Sequence, residues 1–129
     1  MSYYIPTTLD LPFEQTVART EEALKEQGFG IITSIDIKET LKTKIDVDFR
    51  PYVILGACNP KLAHEALQLE DKVGTMLPCN VIVQDAGDGK TEVAAIDPVA
   101  SMQAIGNSGL NAAAEEVRGR LQAAIDSLG

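Results

Sequence analysis

The stretch that decides the fold is PYVILGAC, residues 51–58, an almost unbroken apolar run. Its Tyr, Val and Ile content is typical of a β-strand, and a strand covered on both faces has this continuous pattern. We therefore predict a strand at the centre of a sheet. Asn59 and Pro60 follow directly. Because Asn accepts hydrogen bonds from free N–H groups at a helix start, and Pro at the first helical position loses none, they predict a helix that continues through KLAHEALQLED, residues 61–71.

The residues after this helix predict a β-hairpin. CNVIVQD, residues 79–85, and KTEVAAID, residues 90–97, flank the turn sequence AGDG. We place the turn at Asp88-Gly89, because an Asp-Gly pair between two strand-forming runs is a strong hairpin signal. Further on, apolar residues at alternating steps of four and three predict a final helix from about Leu110 to Leu128.

The residues before the central run predict two more strands. SYYIPTTLD, residues 2–10, is rich in strand-forming side chains, and its last residue, Asp10, is the predicted N-cap of a helix. In GIITSIDI, residues 30–37, Ile31, Ile35 and Ile37 stand at alternate positions of the segment, together with Thr33. This alternation predicts a half-buried strand in which Ile31 and Ile35 share one face.

A short helix is predicted between the second strand and the central one. Asp36 followed by Glu39 resembles a capping box, in which each side chain satisfies a backbone N–H group at the helix start. The spacing of Leu41 and Ile45 predicts that both point inward.

These elements define the fold class. The predicted order is β-α-β-(short α)-β-α-β-β-α, in which the connections are mixed and one hairpin is clear. This order indicates an α+β fold with a largely antiparallel sheet and helices packed on one face. The chain has 129 residues, and we expect residues 1–129 to form a single domain.

Composition excludes some classes of partner. The net charge is −8, and no basic cluster is present. Since nucleic acids and most membrane surfaces are anionic, we expect neither as a partner. No phosphate loop or dinucleotide motif occurs, so no cofactor is predicted. The first residues lack the pattern of a signal peptide, and no apolar run reaches the ~18 residues of a membrane span. We expect a cytoplasmic protein.

The two cysteines, Cys58 and Cys79, lie at the two ends of predicted strands. Cys58 precedes the helix start at Asn59, where free N–H groups stabilise a thiolate, but burial would oppose ionisation. Both a reactive thiol and a buried structural thiol therefore stay open. A reversible disulfide between the cysteines requires antiparallel neighbouring strands and Cα atoms within about 7 Å.

His64 is the only histidine. On a helical wheel it points about 140° from the centre of the apolar arc of its helix, so we predict that it faces solvent. Neither a Cys-x-x-Cys pair nor a second histidine is present, so a metal site would need carboxylate ligands. We predict no metal ligands and keep metal binding as a lesser alternative.

Several motifs carry a resemblance to a known family. They are YVILGACNPKLAHEAL, GTMLPCNVIVQDAGDGKTEV and AIDP, with DFRPY before the first. In their order and spacing the chain resembles the family called Domain of Unknown Function 302, along essentially its whole length and without departure in the central motifs. The resemblance implies a TATA-binding-protein-like α+β fold, β-α-β₄-α in outline, in small intracellular proteins that often dimerise. It implies no DNA binding and no catalytic residue, because fold does not carry function.

The sequence thus leads to ranked hypotheses. The first is a non-enzymatic ligand-binding or assembly protein, a homodimer, with a site for a small anionic ligand at Cys58, Asn59, Pro78 and Cys79. The free N–H groups at the helix start would favour the anion. The alternative is a thiol-based redox sensor or enzyme that uses Cys58 together with Cys79.

Overall fold

The computed structural model describes residues 2–129. Its five strands and four of its five helices follow the predicted order. The remaining helix is a short one in the connector before the last helix. The strands are β1 (Tyr4–Leu9), β2 (Gly30–Asp36), β3 (Tyr52–Cys58), β4 (Cys79–Gly87) and β5 (Lys90–Ile96). The helices are α1 (Phe13–Glu26), α2 (Ile37–Ile45), α3 (Pro60–Leu69), α4 (Pro98–Met102) and α5 (Asn111–Leu128). The α+β prediction is confirmed.

All five strands form one antiparallel sheet in the order β1-β5-β4-β3-β2. The strand β3 is interior, as predicted, but β4 occupies the centre. The hairpin turn is also confirmed: Asp88 and Gly89 have φ angles of 55° and 75°. Positive φ at both central residues is the geometry that matches the twist of two antiparallel strands.

The helices α1 and α5 pack together on one face of the sheet, which we call the covered face. Strand side chains on this face are sealed: Leu55, Val81, Val83 and Val93 are each 0% exposed. They meet Leu24 from α1 and the following residues of α5: Leu121, Ala124 and Ile125. Because burial of such aliphatic side chains is worth roughly 1.5–3 kcal/mol each, this layer supplies most of the folding energy.

The strand β2 differs from its prediction. Its pairing with β3 shifts between Ile31 and Thr33, so that Ile32 forms a β-bulge. A bulge inserts one residue and reverses the alternation of faces beyond it. Ile31 therefore packs against the core, whereas Ile35 lies on the opposite face and is 46% exposed. The prediction that these two residues share a face is wrong.

Two smaller predictions about helices are also wrong. The helix α1 starts at Phe13 after Pro12, and Asp10 instead forms an ion pair with Lys90, with 3.0 Å between Oδ1 and Nζ. The capping of α2 is confirmed, since Asp36 Oδ1 accepts a hydrogen bond from the Glu39 N–H group. However, Ile45 does not point inward, because α2 lies beyond the end of the sheet.

Candidate functional site

The sequence-predicted site residues come together at one end of the sheet. The strands β3 and β4 are antiparallel neighbours, and Ala57 pairs with Cys79. The end of β3, with Cys58 and Asn59, therefore lies beside the start of β4, with Pro78 and Cys79. The condition for a close approach of the two cysteines, antiparallel neighbouring strands, is met, and both thiols are free.

These four residues line a cavity between the sheet end, α3 and α5. It has a volume of about 30 Å³, and we call it the thiol cavity. Its lining includes Phe29, Leu62, Leu77, Met102 and Val117 besides the predicted residues. The carboxamide of Asn59 is the only lining side chain that carries oxygen or nitrogen. The arrangement is therefore an apolar space with two thiols and the Met102 thioether in its wall.

Asn59 has a structural role at the edge of this cavity. Its Oδ1 atom accepts a hydrogen bond from the Leu62 N–H group at 3.1 Å, which confirms the predicted cap of α3. Its Nδ2 atom lies 3.1 Å from the point where a Cβ at Gly28 would be, and Arg120 Nη1 lies 3.2 Å from the same point. Gly28 has a φ of 86°, which a side chain rarely adopts. The backbone at residue 28 is thus closely packed against α3 and α5.

The two thiols differ in their surroundings. Cys79 is 7% exposed and faces the core, and burial, with a smaller contribution from the neighbouring Cys58, raises its thiol pKa from 9.0 to about 11. A thiol with such a pKa stays protonated at neutral pH and is a poor nucleophile. Cys58 is half-buried at the end of β3. Any thiol chemistry at this cavity must therefore begin at Cys58.

The remaining sequence-predicted positions do not join the cavity. His64 is exposed on α3, as predicted, and its Nε2 atom lies 3.2 Å from Gln68 Nε2. In the part of the chain described, no group of three or more His, Cys, Asp or Glu residues could hold a metal ion. No helix within residues 2–129 has both the length and the apolarity needed to cross a bilayer.

A buried carboxylate directly after β5, at the same end of the sheet, has a structural role. Asp97 is 7% exposed, and its Oδ1 atom accepts hydrogen bonds from the N–H groups of Val99 and Ala100. Its Oδ2 atom accepts from Arg118 Nε at 2.9 Å. Asp97 thereby caps α4 and attaches it to α5.

Sequence reasoning missed a second surface, the face of the sheet opposite the covered face, which we call the open face. One row of cross-strand partners runs across all five strands there, and every member is apolar: Pro6, Ala94, Ile82, Ile54 and Ile35. We call it the apolar row. At about 4.8 Å between strands it is about 19 Å long. The sequence contained a signal for this row, because β3 has apolar residues at the positions that point to either face of the sheet.

Polar groups flank the apolar row on one side. Arg50 Nε donates to Gln84 Oε1 at 2.8 Å, and Gln84 Nε2 donates to Glu92 Oε1 at 2.8 Å. The Arg50 guanidinium also lies over the rings of Phe49 and Tyr52, at 4.4 and 5.7 Å from their centroids. Between this network and Tyr4 the open face holds a shallow groove of about 350 Å³. The prediction that β3 is covered on both faces is therefore wrong for the chain by itself.

Comparison with known proteins agrees with this architecture. A solved structure described as an uncharacterized conserved protein DUF302 from Bacillus stearothermophilus superposes with a TM-score of 0.92, at 29% sequence identity over 100% of both chains. None of the curated proteins compared is similar enough to count as a match. The sequence model of the family described as Domain of unknown function DUF302 matches residues 5–128. The chain therefore belongs to the DUF302 family.

Proposed function

We propose that this protein is a non-enzymatic, cytoplasmic, single-domain assembly protein that forms a homodimer through its open face. The observation that carries the proposal is the apolar row, which spans the whole sheet without cover from residues 2–129. Apolar side chains that are exposed together over several strands mark an interaction surface. The residues that form this surface are regular parts of the sheet and need no rearrangement to bind.

The size of the exposed surface fits one partner. The chain exposes 7410 Å² at a mass of 13.8 kDa, whereas a compact monomer of this mass exposes about 6,600 Å². The excess of about 800 Å² equals the area that each partner buries in an interface of standard size. A second copy that covers the open face would remove this excess.

The chemistry of the open face favours a second copy over other partners. With a net charge of −8 the chain repels nucleic acid and anionic membrane surfaces, and it repels a second copy as well, so attraction between two copies has to come from the open face itself. Every member of the apolar row is apolar, and the row has small residues toward β1 and isoleucines toward β2, so it is complementary to itself when two sheets stack face to face with large side chains opposite small ones. Such stacking places sheets about 10 Å apart with side chains between them. It would also cover the second face of β3, as the apolar sequence of that strand predicts.

Sedimentation equilibrium tests the proposal. We expect a dimer at tens of micromolar, and a monomer with an unchanged far-ultraviolet circular dichroism spectrum for Ile54→Ser/Ile82→Ser, because the change removes the middle of the apolar row. The control is Leu67→Ser: Leu67 is 42% exposed on α3, outside the open face. We expect this variant to remain a dimer. A wild-type protein that stays monomeric at tens of micromolar would overturn the proposal.

The thiol cavity supports a second candidate function, ligand binding or thiol chemistry at Cys58, Asn59, Pro78 and Cys79. The supporting observation is that these four residues line one apolar space. At about 30 Å³ it has room for one or two water-sized molecules, whereas ligand pockets are roughly ten times larger. We rank this candidate second for that reason. Its apolar lining favours a small apolar ligand over the predicted anion.

Two measurements test the cavity. For a redox or catalytic thiol, iodoacetamide should alkylate Cys58 of the folded Cys79→Ala variant faster than a free cysteine below pH ~8. Protection of Cys58 up to pH ~9 would leave a structural thiol. For an apolar ligand, xenon under pressure should shift the NMR signals of the Met102 and Leu62 methyl groups. Unchanged signals would exclude access to the cavity.

A further inference from the structure

Building on the proposed homodimer, we infer that its two-fold axis runs parallel to β4. This axis brings a projecting basic segment of each copy onto an acidic sheet end of the other. We call residues 37–50 the arm; they comprise α2 and the residues that lead to β3. We call Asp10 together with residues 85–92 the acidic end. The inference rests on the proposed function, because it specifies how the two open faces meet.

The arm makes few contacts with its own core. The helix α2 has no buried residue, and Ile45 and Val47 are 63% and 42% exposed. Nevertheless the arm is held as a unit: Lys42 Nζ lies 2.8 Å from Asp46 Oδ1, and Lys38 Nζ donates to the Phe49 carbonyl at 3.0 Å. An ordered segment that exposes large apolar side chains has the features of a docking element.

The base of the arm lies on the open-face side. Phe49 contacts Tyr52, with 6.1 Å between ring centroids, and Arg50 donates to Gln84. Tyr52 and Gln84 are cross-strand partners in register with Ile54 and Ile82 of the apolar row, two residues further along each strand. The apolar row, Tyr52 and the arm therefore form one continuous surface.

At this end of the sheet the two halves differ in net charge. The arm has four of the 11 basic residues and three of the 19 acidic ones, so its net charge is +1 and that of the remaining chain is −9. The acidic end has four carboxylates and a single base, Lys90, so its net charge is −3. The arm follows β2 and precedes β3, whereas the acidic end belongs to β1, β4 and β5.

Because of the strand order, the arm of one copy can face the acidic end of a second copy. Since β4 is the third of five strands, a two-fold axis parallel to β4 places β3 of one copy on β5 of the other, and β2 on β1. Strand direction is unchanged by this rotation, so both copies have the same sheet end on the same side. The arm of each copy meets the acidic end of its partner, twice in the dimer, as an isologous interface requires. The strands of the two sheets remain nearly aligned, as in common sheet sandwiches.

A charge-swap experiment tests this arrangement. We expect Lys44→Glu to raise the dimer dissociation constant about fivefold at low salt, because it changes the net charge of the arm from +1 to −1 and turns the attraction into a repulsion. Asp10→Lys, which also removes the ion pair with Lys90, should raise it about twofold, because it reduces the net charge of the acidic end from −3 to −1. The double variant should form a tighter dimer than Lys44→Glu alone, since the reversed arm then meets a less acidic segment. At about 0.5 M salt the single effects should disappear.

The matched control is Lys61→Glu on α3, at the opposite end of the sheet. It changes the net charge by the same amount as Lys44→Glu, and we expect no more than a twofold effect. An equal effect of Lys61→Glu, or a double variant as weak as both changes combined, would overturn the inference. Thermal melts at low concentration would show that each variant is folded.

An apolar variant of the arm gives an independent test. Ile45→Ser/Val47→Ser should raise the dissociation constant at least tenfold without loss of monomer stability, because both side chains are exposed in the monomer. If the wild type is a dimer that Ile54→Ser/Ile82→Ser abolishes but that the arm variants leave intact, only this inference fails. If the wild type is a monomer, the proposed function fails with it.

Discussion

The two faces of the sheet are built from the same strands, but only one of them is sealed. In β3 the side chains alternate, so that Val53 and Leu55 point to the covered face and Ile54 to the open face. Leu55 is 0% exposed, whereas Ile54 is only half-buried. Both kinds of position have large aliphatic residues. The difference teaches that apolar patterning in a strand does not by itself show which face the chain's own helices cover.

The largest predicted effect separates the two faces directly. Leu55→Ala should lower the free energy of unfolding by about 3 kcal/mol, because it leaves a cavity in a sealed layer. Ile54→Ala, one residue away, should cost about 1 kcal/mol at concentrations where the protein is monomeric, since its side chain is already partly in water. Urea unfolding at low micromolar concentration measures both. Equal costs would contradict the division into covered and open faces.

A smaller effect is expected at Gly56, where the open face is locally closed. A Cβ at this position would lie 2.8 Å from Pro78 Cγ and would also collide with Thr33. Gly56→Ala should therefore destabilise by about 2 kcal/mol through overpacking. Gly119→Ala is the control, because nothing lies within 4 Å of its added Cβ in α5. It should stabilise by about 0.5–1 kcal/mol, as Ala is the better helix former. Thermal unfolding would distinguish these opposite signs.

The third effect concerns the covered face and pH. Cys79 has a thiol pKa of about 11 when folded, against 9.0 as a free group, because burial disfavours the thiolate. Its contribution to stability is complete below about pH 9 and is lost as the pH rises toward 11. By pH 10 the wild type should lose about 1 kcal/mol more stability than Cys79→Ala. Parallel pH dependences for the two proteins would show that this thiol is not buried in solution.

The smallest effect is expected on the outer side of α3. His64→Ala should change stability by less than about 0.5 kcal/mol, because the ring is exposed and contacts mainly Gln68. Leu62→Ala, on the buried side of the same helix, should cost several times more. Chemical denaturation of both variants tests the assignment, and a loss of several kcal/mol at His64 would refute it.

Much of the fold was predictable because local signals agreed with the tertiary structure. Asn59-Pro60 starts α3, Asp36 caps α2, and Asp88-Gly89 forms the hairpin turn. Each of these depends on hydrogen bonds or backbone angles within a few residues, which a sequence specifies directly. The convergence of Cys58 and Cys79 was also predictable in outline, since it requires only that β3 and β4 be antiparallel neighbours.

The features that were not predicted depend on contacts across the sheet or on their absence. The bulge at Ile32 reverses the faces of β2, and no residue type announces it. The covered face is chosen by where α1 and α5 pack, which strand alternation cannot reveal when both parities are apolar. The open face was missed because the run PYVILGAC predicts that both faces of the strand are covered, whereas residues 2–129 cover only one of them.

The central claim, that the open face binds a second copy, can be tested with isoleucine methyl groups labelled for NMR. Spectra would be compared from roughly 5 to 500 μM, a range that spans the dissociation of a micromolar dimer. We predict that the signals of Ile35, Ile54 and Ile82 shift with concentration, while those of Ile5 and Ile125 on the covered face do not. Open-face signals that stay constant over this range in a protein that sediments as a monomer would contradict the claim.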